Sequence, residues 1–302
     1  MLEKFTGRLL VIDGHAYAYR AFHAIRGLRS PEGQPTNAIY GFVKMLTKIR
    51  SATEPTHLIV VWDGGLSAER VAALPENKAQ RPGMPDDLRR QMDGIVAYLK
   101  AAGVTSFCRK GVEADDYIAC LARHAVKAGM EVIIASSDKD FMQLVSERVG
   151  LLNPNDKSEM SEMIWTDERV RAKAGVEPSQ VVDWLSLTGD SVDNIPGVPG
   201  VGPKTATELL NQFGSVRVLL ERLDEVKSEK LRVALRASAD VVRRNCELVR
   251  LRDDLPCEFL PDKLAEKPAD AGLLRELYRR WGFETLLAAL GESACECQAV
   301  LI

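Results

Sequence analysis

Three carboxylates fall within four residues in the stretch Gly111 to Asp116, at a turn that runs into an amphipathic pattern. Like charges held that close repel one another, so something positive must offset them. Two acids in the first turn of a helix are also what the positive end of the helix dipole favours, and for this cluster alone that reading stays open. Other acids shift the balance. Asp13, Asp63, Asp138 and Asp140 follow short apolar runs, and Asp190 and Asp193 stand three apart in a Gly/Pro-rich turn. One acid at a strand end is commonly a cap or turn residue, but repetition at four such positions is hard to assign to capping alone. Acids gathered this way make a pocket for divalent cations.

The elements that must position them are readable. Residues 9–13 are an apolar run feeding a helical pattern that continues to about Arg26. A helix from about Asn37 to Ser51 leads to a second apolar run, 57–63, which ends in Asp63. A third strand lies near 104–108, just before Gly111, and a fourth, 131–135, leads to Asp138 and Asp140. Strands that are near-continuous apolar runs and alternate with helices imply an α/β fold, a mainly parallel sheet with helices on both faces. Ligands bind such sheets beyond the carboxyl ends of the strands, where these acids stand.

The chain has 302 residues, 46% hydrophobic and 27% charged, long enough for one large domain or two ordinary ones. No run of eighteen apolar residues occurs, and a cytoplasmic protein is expected. Cys108, Cys120, Cys246, Cys257, Cys295 and Cys297 are scattered, which suits reduced thiols, and the lone CxC of the tail is not expected to bind metal. The net charge of −3 at first argues against a nucleic-acid partner. Setting the nine acids aside takes it to +6, so a basic body around one acidic pocket is compatible with a polyanion.

Two further stretches carry information. Residues 64–85 hold three prolines and little periodicity, long for a connection in a compact α/β unit and of the kind that forms lids or binding loops. Arg70, Lys78 and Arg81 lie in it, with Arg89 and Arg90 just beyond; a solvated face is the plainer reading. From about Thr166 helices dominate. Within 184–206 a helix, an acid-bearing turn, the glycine-rich hairpin Gly197–Val198–Pro199–Gly200–Val201–Gly202 and a new helix from about Lys204 follow one another. Glycine lets backbone approach a ligand and helix-start amides point at anions, so a helix-hairpin-helix grips phosphates without reading bases. The hairpin alone is equally compatible with a tight turn. Ten Lys or Arg in 217–252 would extend a track along a duplex or lace a solvated helix pair.

The ordered set Leu10 to Ala16, Gly111 to Asp116, Ser136 to Asp140 and Gly189 to Ala206 resembles the 5′-nuclease family, in particular 5′–3′ exonuclease domains of the flap-endonuclease kind, over about residues 7–290. The resemblance implies a PIN-like nuclease core over 1–165 with an arch at 64–85, a helical DNA-binding region over 166–290 with its helix-hairpin-helix at 184–212, and a tail, 291–302. It implies two neighbouring divalent-cation sites: Asp13, Asp63, Glu113, Asp115, Asp116 and Asp138 nearest the chemistry, and Asp140, Asp190 and Asp193 completing the second. Hard carboxylate oxygens suit Mg²⁺ or Mn²⁺, not zinc. Lys78 and Arg81 match an arch pair that contacts the scissile phosphate, Arg20 a further phosphate contact, and Phe22 and Tyr17 candidate stacking residues. Arg70, Gly197, Val198, Gly200, Val201, Gly202 and Lys204 match DNA contacts, with a K⁺ ion held by hairpin carbonyls. Asn77, Glu69 and Pro203 depart from the family pattern.

The function implied is a metal-dependent 5′–3′ exonuclease or flap endonuclease acting on DNA, with RNA primers on RNA–DNA hybrid as further substrates. It would work as a monomer near the nucleoid, with a DNA polymerase as functional partner and as a chain of its own. A non-catalytic DNA-binding module would gain nothing from nine acids repelling phosphate. A PIN-like ribonuclease would generally lack the hairpin region.

Overall fold

The apolar runs that precede the acids all become strands of one sheet: β1 (Arg8–Asp13), β2 (His57–Trp62), β3 (Thr105–Cys108) and β4 (Glu131–Ala135). Two short strands, β5 (Val149–Leu152) and β6 (Ile164–Trp165), complete it. The order is β3-β2-β1-β4-β5-β6, parallel except for antiparallel β6. The computed structural model describes residues 6–76, 78, 80, 82–154 and 164–299, the side chains of 292–299 excepted. Arg81, Asn77 and the last three residues of the tail lie outside the described residues, as do the side chains of Cys295 and Cys297.

β1, β2 and β4 are apolar without alternation because both faces are covered, whereas β3, at the sheet edge, alternates between half-buried and exposed residues. Leu9 and Val11 enter one core cluster, with Ile118, Leu121 and the later helices; Leu10 and Ile12 enter the other, with Phe42, Leu46, Ile95 and Leu99. Each such side chain contributes roughly 1.5–3 kcal/mol on burial. The helices that matter for the site are α1 (Gly14–Ala24), α2 (Asn37–Thr53), α3 (Ala68–Ala73), α4 (Asp86–Ala101), α5 (Ala114–Lys127), α6 (Asp167–Ala174), α7 (Val181–Thr188) and α8 (Pro203–Phe213).

From β1 the chain builds outward to β2 and β3, then returns to place β4 on the other side of β1, with Ile12 opposite Ala135. That reversal is the switch point of the sheet, and it opens a crevice beyond the ends of β1 and β4. Asp13 ends β1 and Asp138 follows β4, so both are delivered to its mouth.

The division expected at residue 165 is not a break in packing. Val181, Leu185 and Leu210 of the helical region share a core with Val11 and Ile134 of the sheet. The helix Ala271–Trp281 returns to the opposite face, where Tyr278 stacks on Tyr98 of α4 at 6.5 Å between ring centroids. Leu274, Leu277, Tyr278, Trp281 and Phe283, placed by sequence in the helical region, thus pack in the core cluster on that face of the sheet.

Candidate active site

Asp13 is the N-cap of α1: its Oδ1 accepts the Ala16 amide at 3.0 Å while Oδ2 accepts the Ser136 hydroxyl at 2.8 Å, tying the end of β1 to the end of β4. Asp138 caps the short 3-10 helix Lys139–Leu144, accepting the Asp140 amide at 2.9 Å. Asp63 follows β2 and accepts the Gly65 amide at 2.6 Å. Capping is thus real at these positions, and it aims the same carboxylates at the crevice. Asp190 and Asp193 arrive from the helical region on a tight turn that reciprocal bonds between Asp190 and Ile195 close, at 2.8 and 2.7 Å.

A cavity of about 420 Å³ is lined by Asp13, Asp63, Asp115, Asp138, Asp190 and Asp193, six of the nine acids, from five separate places in the sequence. His15, Tyr19, Ser137, Lys139 and Val192 share its walls. Burial drives the Asp13 carboxyl up to about 6, against the lowering effect of its bonds from Ala16 and Ser136. Burial likewise pushes Asp115 up to about 8; Lys78 lowers it, while Asp138, Asp13 and Glu113 push it further up. Asp140 is raised well above the usual range by burial and then by Asp138, Asp115, Asp193 and Asp190, and its Oδ1 is buried with no hydrogen-bond partner. Burial and their mutual repulsion raise these carboxyls, and Lys78 offsets this only in part at Asp115. A hard-oxygen donor set with an orphaned buried carboxylate oxygen fits a divalent cation.

Three acids lie off the cavity wall. Glu113 and Asp116 are 1% and 2% exposed and face cations supplied by the loop at 64–85. Arg70, on α3, lies 2.7 Å from Glu113 Oε1, donates to both Asp116 oxygens at 3.0 and 2.9 Å, and reaches the Arg250 carbonyl at 3.1 Å. Lys78 Nζ donates to Glu113 Oε2 at 2.8 Å and lies 3.7 Å from Asp115 Oδ2. Burial raises the Glu113 carboxyl, but Lys78 and Arg70 outweigh it and hold it below the usual range. For Asp116 burial prevails over Arg70 and the value stays raised. Lys139 in turn pairs with Asp190 at 3.1 Å. In this arrangement no three His, Cys, Asp or Glu side chains among the described residues are grouped to grip one ion. Side-chain cations pair with four of the acids, Glu113, Asp115, Asp116 and Asp190.

Several expectations need correction. Arg70, expected to touch DNA, is 7% exposed and fully engaged by carboxylates, because a guanidinium so placed offsets two acids that would otherwise repel. Tyr17, a candidate for stacking, is a core residue at 1% exposure. Phe22 lines a different hollow of about 330 Å³, with His23, Arg26 and Arg29. The α1 aromatic at the acid cavity is Tyr19, which stacks on His23 at 6.4 Å between ring centroids. Its signal was the helical row His15, Tyr19, His23 on the face opposite the buried Gly14, Ala18 and Ala21. Arg20 is half-buried and lowers the pKa of Tyr17 against its burial.

The arch leans on the acid turn. The Lys78 amide donates to the Asp193 carbonyl at 3.0 Å, and Asn194 Nδ2 donates to the Glu76 carbonyl at 3.0 Å. Lys78 and Asn194 both adopt left-handed backbone, φ 57° each, a conformation that costs non-glycine residues roughly 1 kcal/mol.

The hairpin divides into anchors and an exposed rim. Val198 and Val201, expected to touch DNA, are 3% and 6% exposed and pack inward. Gly197 approaches its neighbours so closely that a Cβ would lie 2.3 Å from the Thr188 carbonyl oxygen. Asn245, buried on the helix Ala239–Val249, pins the hairpin by donating to the Pro196 and Ser186 carbonyls at 2.7 and 3.1 Å. Gly200, Gly202 and Lys204 remain at the surface, where α8 begins.

Comparison with known proteins agrees with this architecture. The family model of the 5′–3′ exonuclease N-terminal resolvase-like domain matches residues 8–175, and that of the 5′–3′ exonuclease C-terminal SAM fold matches 176–272. A 5′–3′ exonuclease of Aquifex aeolicus is 39% identical over 279 residues, 92% of this chain and 93% of that one. DNA polymerase I of Bacillus caldotenax is 38% identical over 289 residues, 96% of this chain but 33% of that protein, so this chain spans about a third of such relatives. The fold is shared with the bacteriophage T5 D15 flap endonuclease, solved as a pseudo-enzyme–product complex with DNA and metal ions (TM-score 0.67, 23% identity, 81% of this chain and 89% of that one). It is shared too with the catalytic core of Rad2 in complex with DNA substrate (TM-score 0.63, 14% identity, 94% and 92%). With both domain models matched in order across nearly its whole length, this chain belongs to the 5′–3′ exonuclease family.

Proposed function

We infer that this chain is a metal-dependent 5′–3′ nuclease that hydrolyses phosphodiester bonds at DNA 5′ ends or flaps, and that RNA primers on a DNA strand are also substrates. The observation that carries the reading is the acid cavity: six carboxylates, scattered over 180 positions of sequence from Asp13 to Asp193, line one crevice beyond the strand ends.

The nine acids are the candidates to hold the cations, Asp13, Asp63, Glu113, Asp115, Asp116 and Asp138 at one site and Asp140, Asp190 and Asp193 at a second. Two Mg²⁺ or Mn²⁺ ions bound there would supply Lewis-acid polarisation of the phosphate and a water of lowered pKa. The side chains do the rest. Arg70 keeps Glu113 and Asp116 apart from bulk water and fixed in direction. Lys78 and Arg81 would be the arch cations for the scissile phosphate, and Lys78 also holds Glu113, one of the acids that would bind the cation. Tyr19 offers a ring for a base near the unpaired end. The Gly200–Lys204 rim takes duplex phosphates at the start of α8, with hairpin carbonyls holding a K⁺ ion. We place this monomeric enzyme in the cytoplasm, near the nucleoid, beside a DNA polymerase.

The test is cleavage of a 5′-labelled flap duplex, a blunt duplex and single-stranded RNA, each with Mg²⁺ or chelator. Chelator-sensitive cutting of the flap supports the reading. Tight binding with no cutting would instead mark a structure-specific DNA-binding module, and cutting of RNA alone a PIN-like ribonuclease.

A further inference from the structure

His15 lines the acid cavity, and the backbone fixes the direction of its hydrogen bonding. The Asp63 amide donates to His15 Nδ1 at 3.1 Å. A backbone amide can only donate, so Nδ1 must present its lone pair and the ring proton must sit on Nε2. The ring stands edge-on to Trp62, centroids 5.5 Å apart at 86°, and turning it over would put a C–H in place of Nδ1 at the Asp63 amide. Among the described residues Nε2 has no hydrogen-bond partner.

Carboxylates dominate the rest of the cavity, and an ionised carboxylate only accepts. Lys139, the cation on the wall, is paired with Asp190. A phosphodiester arriving here brings oxygens that also only accept. A neutral N–H fixed in this tautomer is the complementary group, and with its proton on Nε2 the ring has no lone pair left for a metal.

We propose that His15 is a substrate-contacting residue of the nuclease reaction, its Nε2–H donating to a non-bridging oxygen of the phosphodiester that enters the acid cavity. This rests on the nuclease reading above. The contact asks no proton transfer of the ring. It preorganises a neutral donor at a phosphate that carboxylates alone would repel, the role of a hydrogen-bond donor toward charge that grows in the transition state.

The experiment compares wild type, His15→Ala and His15→Gln in single-turnover cleavage of a 5′-flap duplex with Mg²⁺. The affinity of each for the same duplex is measured in Ca²⁺, and ¹⁵N spectra of the labelled wild-type histidines are recorded without metal. His15→Ala should slow cleavage about 100-fold, the scale for losing one oriented donor, with duplex affinity little changed. His15→Gln, whose amide can also donate, should recover part of the rate. The spectra should show the His15 proton on Nε2. An active wild type matched in rate by His15→Ala, or a proton on Nδ1, overturns the proposal and leaves the nuclease reading standing. A wild type that cuts no flap sinks the nuclease reading, and with it the contact proposed here.

Discussion

Lys78 Nζ sits 2.8 Å from Glu113 Oε2, in an ion pair whose side chains are 11% and 1% exposed. Burial alone would lower the pKa of the lysine, yet Asp115 and Glu113 reverse that and raise it. A cation of the 64–85 loop is thereby held inside the acid layer.

Replacing Lys78 therefore has two separable effects. Lys78→Ala leaves Glu113 buried with one counter-charge fewer, at a cost on the scale of about 3 kcal/mol for a broken buried pair. Urea denaturation in chelator should show that loss, and added Mg²⁺ should offset more of it in the variant than in wild type. Flap cleavage should fall about 100-fold. An unchanged urea midpoint would mean that the ion pair carries no weight in the folded protein.

Arg70 gives a sharper contrast. Arg70→Ala strands Glu113 and Asp116 together and should destabilise the chain by about 3–5 kcal/mol. Arg70→Lys should not rescue it, because a point charge cannot bridge two carboxylates as the planar guanidinium does. Loss of duplex affinity with stability intact would restore Arg70 to the DNA-contact list.

How much of this was legible in the sequence depends on what each residue answers to. β1, β2 and β4 followed from apolar runs with an acid at or just past their ends, and β3, only four residues long, from its place just before the Gly111 turn. β5 did not: four residues with Gly150 in the middle give too short a run to read. Asp13 and Asp138 are set by the nearest strand end, so sequence order alone places them at the crevice. Arg70 is set by Glu113 and Asp116, more than forty positions away, and a charged residue in a proline-rich loop reads as exposed. Tyr17 and Tyr19 differ by two positions on one helix, and only the phase of the buried row tells core from cavity. The return of residues 271–283 to the sheet is a long-range packing choice with no local mark.

The acid cavity makes a pH dependence of unusual sign. Asp13 and Asp115 titrate near 6 and 8 in the folded chain, above the ordinary 3.8. Their contribution to the stability of the metal-free protein is full below about pH 4 and is lost as pH rises through 6 and 8. In chelator, Tm should fall between pH 5 and 9; with Mg²⁺ present the fall should flatten, because the cation favours the ionised carboxylates. Parallel Tm profiles with and without Mg²⁺ would mean these groups do not take up the ion.

The hairpin separates shape from charge. Gly197→Ala forces a Cβ to within 2.3 Å of the Thr188 oxygen, so the backbone must shift, and Tm and duplex affinity should fall together. Lys204→Ala touches only the exposed rim and should leave Tm alone while reducing the salt slope of duplex binding by about 1. Fluorescence anisotropy across a salt series checks both, and a Lys204→Ala slope equal to wild type would remove it from the phosphate contacts.

If acids from distant parts of the chain converge to hold divalent cations for attack on phosphate, the metal-binding stoichiometry must depend on acids from both ends of that span. Equilibrium Mn²⁺ binding, read by electron paramagnetic resonance on wild type, Asp13→Asn and Asp193→Asn, tests it most directly. Wild type should bind two ions, with loss of the tighter one in Asp13→Asn and of the weaker one in Asp193→Asn. Mn²⁺ binding that is absent from wild type, or untouched by both substitutions, would contradict it.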